Sequence, residues 1–250
     1  MKKLITICVL LSFLIANSQI KSGEKLVFSA SYNMSGLMTP LAQVTMTTSN
    51  VATAKSNYLH LRCEAATYSK WDSFFKIRDV YESYVNPTTL KPSLYKRSIN
   101  EGGYTKTEKY IFKPDGKTVT STSKKKKKPE TTKNFIINGA TQDVVSILYK
   151  LRAVDFSKMT SGQTKSFTIV FDEKEFPVVV KYMGTETISA GNLGSKLCYK
   201  VSIAAKTKVL KGTDKNLIWL TADSKKVPTL IKFSIPVGVG QMSLTSATGI

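Results

Sequence analysis

Residues 93–112 read Ser93-Leu94-Tyr95-Lys96-Arg97-Ser98-Ile99-Asn100-Glu101-Gly102-Gly103-Tyr104-Thr105-Lys106-Thr107-Glu108-Lys109-Tyr110-Ile111-Phe112. Two runs rich in aromatic and β-branched residues flank Glu101-Gly102-Gly103, whose glycines supply the positive φ of a tight hairpin. Side chains alternate across a strand, so Tyr95, Arg97, Ile99 and Glu101 share one face. The same rhythm extends in both directions. Phe75–Val85 is a strand ended by Asn86-Pro87, since proline cannot donate to a ladder. Pro114-Asp115-Gly116 is a further turn, leading into Lys117–Ser123. Upstream, Leu26, Phe28, Ala30 and Tyr32 alternate, as do Ala42, Val44, Met46 and Thr48, and Leu59, Leu61, Cys63 and Ala65. Downstream, strands are expected at 164–171, 176–188, 196–206, 216–222, 229–235 and 240–245. Roughly a dozen strands at this spacing predict an all-β fold, an antiparallel meander closing into a barrel or half-barrel.

One segment departs from the rhythm. From Gln142 to Arg152 the apolar residues Val144, Ile147, Leu148 and Leu151 fall at the spacing of one helical face. Thr141 is the expected N-cap, Asp143 suits the positive end of the helix, and Lys150 and Arg152 suit the negative end. A single amphipathic helix in a β chain has to bury its stripe, across the sheet or in one end of a barrel.

The chain has 250 residues with 37 Lys+Arg against 17 Asp+Glu, a formal net charge of +20. Its single His excludes a multi-histidine zinc site, and three scattered Cys exclude a zinc ribbon. No dinucleotide-binding glycine motif, P-loop, zincin helix or nucleophile elbow occurs, and no cofactor is expected. Met1-Lys2-Lys3, the apolar run Leu4–Ile15 and Ala16-Asn17-Ser18 read as a signal peptide over 1–18, cleaved before Gln19. Cys8 lies inside the apolar run, not at a lipoprotein cleavage point. The remaining residues, 19–250, are expected to form one barrel-like domain without a transmembrane segment, soluble in the periplasm or cell envelope. Export argues against a nucleic-acid partner for the positive charge and leaves anionic envelope polymer or lipid.

Of the other cysteines, Cys63 shares a face with Leu59 and Leu61. Cys198 shares one with Lys200, opposite Leu197, Tyr199 and Val201. Opposite parity predicts two free thiols rather than a disulfide.

Five consecutive lysines, Lys124, Lys125, Lys126, Lys127 and Lys128, precede Pro129. They read as a solvated hairpin tip and as the candidate contact for an anionic surface. His60 sits on the polar side of its strand and is expected to be a surface histidine. Trp219 is expected in the core. The strand 75–85 places Asp79 on an apolar face with Tyr81, where a carboxylate requires a cation or several hydrogen bonds. Arg97 on the next strand is the expected partner. Asp79, Tyr81, Arg97 and Glu101 are thus the candidate ligand-binding residues.

Several stretches together resemble a known family. They are Gly23-Glu24-Lys25-Leu26, Arg78 to Val85 with Thr89-Leu90-Lys91-Pro92, Asn100 to Tyr104, Asp143 to Arg152, and Trp219 to Asp223 with Val227-Pro228 and Val237-Gly238. The chain is similar to the exported bacterial family catalogued as domain of unknown function 3108, as found in Bacteroidota. The resemblance implies a barrel-like meander with one helix, similar to envelope lipoprotein folds, and no established activity or catalytic residues. The five-lysine tip is not part of the family pattern. The expected function is a non-enzymatic cell-envelope protein that binds a lipid-like or anionic polymeric ligand. The alternatives are a hydrolase of envelope carbohydrate built on Asp79 and Glu101, or a structural or assembly factor.

Overall fold

A computed structural model describes residues 20–205, 216–235 and 238–250. The signal-peptide reading of 1–18 lies outside the described residues. The strands are β1 (Lys25–Met34), β2 (Leu37–Ala52), β3 (Asn57–Thr67), β4 (Arg78–Val85), β5 (Pro92–Glu101), β6 (Tyr104–Phe112) and β7 (Thr118–Lys125). They continue as β8 (Thr131–Ile136), β9 (Thr164–Phe171), β10 (Lys174–Ser189), β11 (Ser195–Ala205), β12 (Leu217–Thr221), β13 (Pro228–Ile235) and β14 (Gly238–Thr248). One α-helix, α1 (Ser146–Arg152), lies between β8 and β9.

All of these strands form one antiparallel sheet in the order β8-β7-β6-β5-β4-β3-β2-β1-β14-β13-β12-β11-β10-β9. Each neighbouring pair is consecutive in the chain except β1 and β14. The chain therefore walks from the centre of the sheet to one edge at β8. It crosses to the other edge at β9 through the segment that carries α1, then walks back. The two edges do not pair, so the sheet is a half-barrel wrapped around the helix rather than a closed barrel. The seam is bridged by irregular chain instead. Val170 N–H donates to the Gln142 carbonyl at 2.8 Å and Gln142 N–H to Thr168 at 2.9 Å. Glu175 accepts from the Asn138 backbone at 2.8 Å and from its side chain at 3.0 Å.

The helix starts later than its periodicity predicts. Asp143 is the residue that caps it, its Oδ1 accepting the N–H of Val145 at 2.9 Å and of Ser146 at 2.8 Å. Ser146 Oγ returns a bond to Asp143 N–H at 2.9 Å, a reciprocal box that ends the extended chain. Thr141 is not the N-cap; its hydroxyl donates to the Asn138 carbonyl at 2.6 Å and to Glu175. The buried Asp143 carboxyl also accepts from Ser83 on β4 at 2.5 Å, which anchors the helix start to the sheet.

The core forms two clusters that meet at α1. The larger contains Leu26, Phe28, Val44, Met46, Leu61, Tyr95 and Tyr110 with Val145 and Tyr149 of the crossover. The smaller contains Val178, Val180, Val201, Ile218 and Leu220 with Leu151 and Phe156. Each fully buried Leu or Phe contributes about 2 kcal/mol of transfer free energy.

The structure differs in detail from the alternation and adds to it. β4 begins at Arg78, because a 3-10 turn at Ser69–Trp71 diverts the chain and leaves Phe74 and Phe75 exposed. β8 was not legible: Thr131–Ile136 is an edge strand, mostly exposed and without apolar alternation. Trp219 is buried but belongs to neither cluster; its ring lies between the ammonium groups of Lys200 and Lys232 at 5.3 and 5.4 Å, and its N–H donates to Glu186 at 3.0 Å. Both thiols are free, as strand parity predicts.

Candidate functional site

β4 and β5 carry the four candidate residues. Tyr81 lies directly across from Arg97 in the ladder, and an isolated bridge pairs Ile77 with Glu101. Tyr81, Arg97 and Glu101, with Tyr104, Lys106 and Lys125, line a cavity of about 620 Å³ that the end of β9 closes on the other side. Asp79 is buried beside it.

Asp79 and Arg97 do not form the expected pair. Arg97 Nε contacts Glu108 Oε2 at 2.8 Å, as an ion pair whose angle falls short of a hydrogen bond. Its Nη2 donates to Asp172, and its guanidinium lies 4.6 Å over the Phe171 ring. Lys106 completes the cluster, reaching Glu108 at 3.0 Å and Asp172 at 2.9 Å. Asp172 and Glu173 both have positive φ, +46° and +62°, in the β9–β10 turn. That turn projects two carboxylates across the seam. Glu173 accepts from Ser121 on β7 at 2.8 Å, and its N–H donates to the Tyr110 hydroxyl at 3.0 Å. Burial alone would raise the Asp172 carboxyl. The Lys106 hydrogen bond and the Arg97 charge outweigh it and hold the group below its ordinary value.

Asp79 instead accepts the Asn100 N–H at 2.8 Å and lies near enough to Glu101 to act on its carboxyl. Burial, then the proximity and charge of Asp79, push Glu101 up to about 7, with Arg97 acting in the opposite direction. Burial and these same two carboxyls raise the Tyr81 hydroxyl, which stays a neutral hydrogen-bonding group.

A second cavity, about 280 Å³, lies on the other side of Val144 and Ile169, which line both. Its walls are almost wholly apolar: Val178, Val180, Ile203, Ile218 and Ile231 from the sheet, and Ile147, Leu148 and Leu151 from the helix. The stripe that periodicity assigned to the core thus borders open space along much of its length. Of the stripe only Leu151 is buried, alongside Val145, Ser146, Tyr149 and Arg152 of the crossover; Val144, Ile147 and Leu148 are partly exposed.

Lys124 to Lys128 form the exposed end of β7 and the turn to β8, and Lys125 reaches the polar cavity. His60 has more structure around it than the sequence suggested. Its Nε2 lies 3.0 Å from Glu82, its Nδ1 3.4 Å from the Ser49 hydroxyl, and its ring stacks on Tyr84 at 4.4 Å. The order resembles a nucleophile–base–acid line but is reversed about the ring: the serine meets Nδ1 and the carboxylate Nε2. Arg62 shares Glu82 at 3.2 Å, so the group reads as a cross-strand polar ladder. Asp172, Glu108 and Lys106 are the site residues that sequence reasoning missed. The available signal was Asp172-Glu173, an acidic pair at a hairpin turn in a strongly basic chain.

One solved structure shares the fold, and two others are similar over most of their length. A β-barrel-like protein of domain of unknown function DUF1849 from Brucella abortus is 10% identical with a TM-score of 0.58, over 90% of this chain and 97% of that one. A protein described as exported, with a YmcC-like fold, from Bacteroides fragilis is 9% identical with a TM-score of 0.39, over 91% of this chain and 96% of that one. A protein described as a lipoprotein from Parabacteroides distasonis is 10% identical with a TM-score of 0.35, over the same shares of 91% and 96%. No curated protein matches the chain. Among the described residues no helix is long and apolar enough to cross a membrane, and no group of His, Cys, Asp or Glu is arranged to hold a metal ion. The family of proteins of unknown function DUF3108 matches residues 27–245, and the chain belongs to it.

Proposed function

We propose that the protein is an exported, non-enzymatic envelope protein that holds a lipid-like ligand in the trough above α1. The observation that carries this reading is the apolar cavity under the helix stripe. At about 280 Å³ it exceeds the roughly 150 Å³ of an engineered apolar cavity that stays dry and takes up small aromatics. An acyl or other hydrocarbon group gains the transfer free energy that water cannot supply there. The adjoining polar cavity offers Tyr81, Glu101, Lys106 and Lys125 to a head group.

The carbohydrate-hydrolase reading has less support. Paired carboxylates in glycosidases stand about 5 Å apart or more and hold separate roles. Asp79 is buried and acts directly on Glu101, raising it, so the two do not stand as independent groups.

A fluorescent fatty acid titrated into the folded protein is the direct test. Saturable binding is expected, displaced by unlabelled fatty acid and lost in Ile147→Trp, which fills the cavity. Equal probe binding by wild type and Ile147→Trp, both folded by circular dichroism, overturns the reading. Export has its own test: N-terminal sequencing of envelope-derived protein is expected to start at Gln19, and an intact Met1 refutes it.

A further inference from the structure

We propose that one end of the half-barrel docks on the surface of an anionic lipid bilayer. It does so through apolar hairpin tips that enter the interface, flanked by lysines that meet the head groups. Successive antiparallel strands return the chain to alternate ends of the sheet. The connections β1–β2, β3–β4, β5–β6 and β7–β8 and the start of β14 therefore share one end. Contacts join several of them side by side. The Phe75 ring packs on Gly102 so closely that a Cβ there would lie 2.6 Å from it. Lys126 Nζ donates to the Gly103 carbonyl at 2.6 Å. Trp71 Nε1 donates to the Pro40 carbonyl at 3.0 Å, and the Tyr32 hydroxyl sits against Gly238.

This end gathers exposed apolar residues on adjacent tips, whereas at the other end Ile136 and Leu197 are exposed singly. Phe74 is 81% exposed and Leu37 71%, and Met34, Phe75, Tyr104 and Val239 are exposed beside them on neighbouring tips. At the opposite end the connections turn Leu90, Ala190 and Val227 into the core. An isolated exposed apolar residue needs no explanation, but a row of them along adjacent tips marks an interaction surface.

Charge identifies the partner. Lys124 to Lys128 are all exposed at this end, and Lys70 and Lys76 lie in the β3–β4 connection with Phe74. The nearby acids are largely engaged: Asp72 by Arg78, Asp172 by Arg97 and Lys106, Glu173 by Lys133. Glu130, just past Pro129, and Glu101 at the β5–β6 tip are the exceptions. A soluble polyanion would account for the lysines but would leave Phe74 and Leu37 in water. A bilayer with anionic head groups satisfies both. Tyr104 and Lys125 also line the polar cavity, so docking would set that mouth against the membrane. The inference goes beyond the cargo reading and stands without it.

Co-sedimentation with vesicles tests it, using phosphatidylcholine alone and phosphatidylcholine with about one third phosphatidylglycerol. Wild type is expected to bind the anionic vesicles and not the neutral ones. Replacing Lys124–Lys128 with serine is expected to abolish binding at 50 mM salt, since each lysine near an anionic surface contributes roughly fivefold. Phe74→Ser with Leu37→Ser is expected to weaken binding roughly ten- to hundredfold at both 50 and 300 mM salt, because apolar insertion is not screened. Leu197→Ser, an exposed change near the other end, is expected to leave binding unchanged. Ile147→Trp is expected to bind vesicles like wild type, which separates docking from cargo. Unchanged binding by the Phe74/Leu37 variant, with dextran sulfate displacing the protein from vesicles, would show a polyanion site and overturn the proposal. Equal binding to neutral and anionic vesicles would overturn it as well.

Discussion

Arg152, the last residue of α1, holds Glu24 in a buried bidentate pair, Nη1 to Oε1 and Nη2 to Oε2 both at 2.7 Å, across 128 residues of chain. Its Nε donates to the Lys225 carbonyl at 3.1 Å. One guanidinium therefore ties the helix end to the start of β1 and to the β12–β13 turn. Removing one partner leaves a buried charge unmatched, which costs about 3–5 kcal/mol. Arg152→Met is expected to lose that much in urea denaturation. The double change with Glu24→Leu is expected to recover most of it. Additive losses would show that the two residues do not couple.

The cluster at the seam is expected to be unequal. Glu108 and Arg97 are almost completely buried, whereas the Asp172 side chain is half exposed. Glu108→Ala is expected to cost about 3 kcal/mol or more by leaving Arg97 and Lys106 short of a counter-charge. Asp172→Ala is expected to cost about 1 kcal/mol. Equal losses in the two denaturation curves would contradict this order.

Glu101 sets a pH dependence. Its folded value of about 7 lies above the ordinary 4.5. A group raised in this way favours the folded state at low pH, and that contribution disappears as pH rises through the folded value. Glu101→Gln keeps a neutral polar side chain beside Asp79 and removes the titration. Between pH 5 and pH 8 wild type is expected to lose about 1 kcal/mol relative to Glu101→Gln, the partial exposure of the site reducing the effect. Parallel stability curves for the two proteins would sink this assignment.

The thiols are expected to be silent. Burial, with the Glu64 charge adding to it, pushes Cys63 up to about 12, and burial raises Cys198 as well. Thiolate is the reacting species, so at pH 8 a disulfide reagent is expected to label neither within minutes. In denaturant it is expected to label both. Rapid native labelling of Cys63 would contradict the burial.

The alternation of Leu26, Phe28, Val44, Met46, Leu59 and Leu61 made the central strands readable, because those side chains face one continuous core. Asp79 and Arg97 were correctly placed on one face. Their partners were not readable. Arg97 is claimed by Asp172, which lies 75 residues away on the opposite edge of the sheet. Nothing local encodes that meeting; it follows from how far the half-barrel curls. The stripe Val144, Ile147, Leu148 and Leu151 announced a helix but not what faces it. An apolar row reads alike whether it meets side chains or a void, and only the packed sheet determines which. β8 carries four Thr, Lys and Asn residues before its first apolar one, so an edge strand looked like a loop.

The pairing of β1 with β14 has a consequence for synthesis. Lys25 to Tyr32 find one set of ladder partners in β2, but the other set is Gly240 to Thr248, far later in the chain. While the chain is being synthesised, β1 presents an open edge in the middle of the future sheet, and α1 lacks the strands that form its second wall. Domains that close on such distant pairings fold slowly and late. Until β14 arrives the half-barrel is incomplete; its pairing with β1 both completes the sheet and removes the edge at which another chain could add.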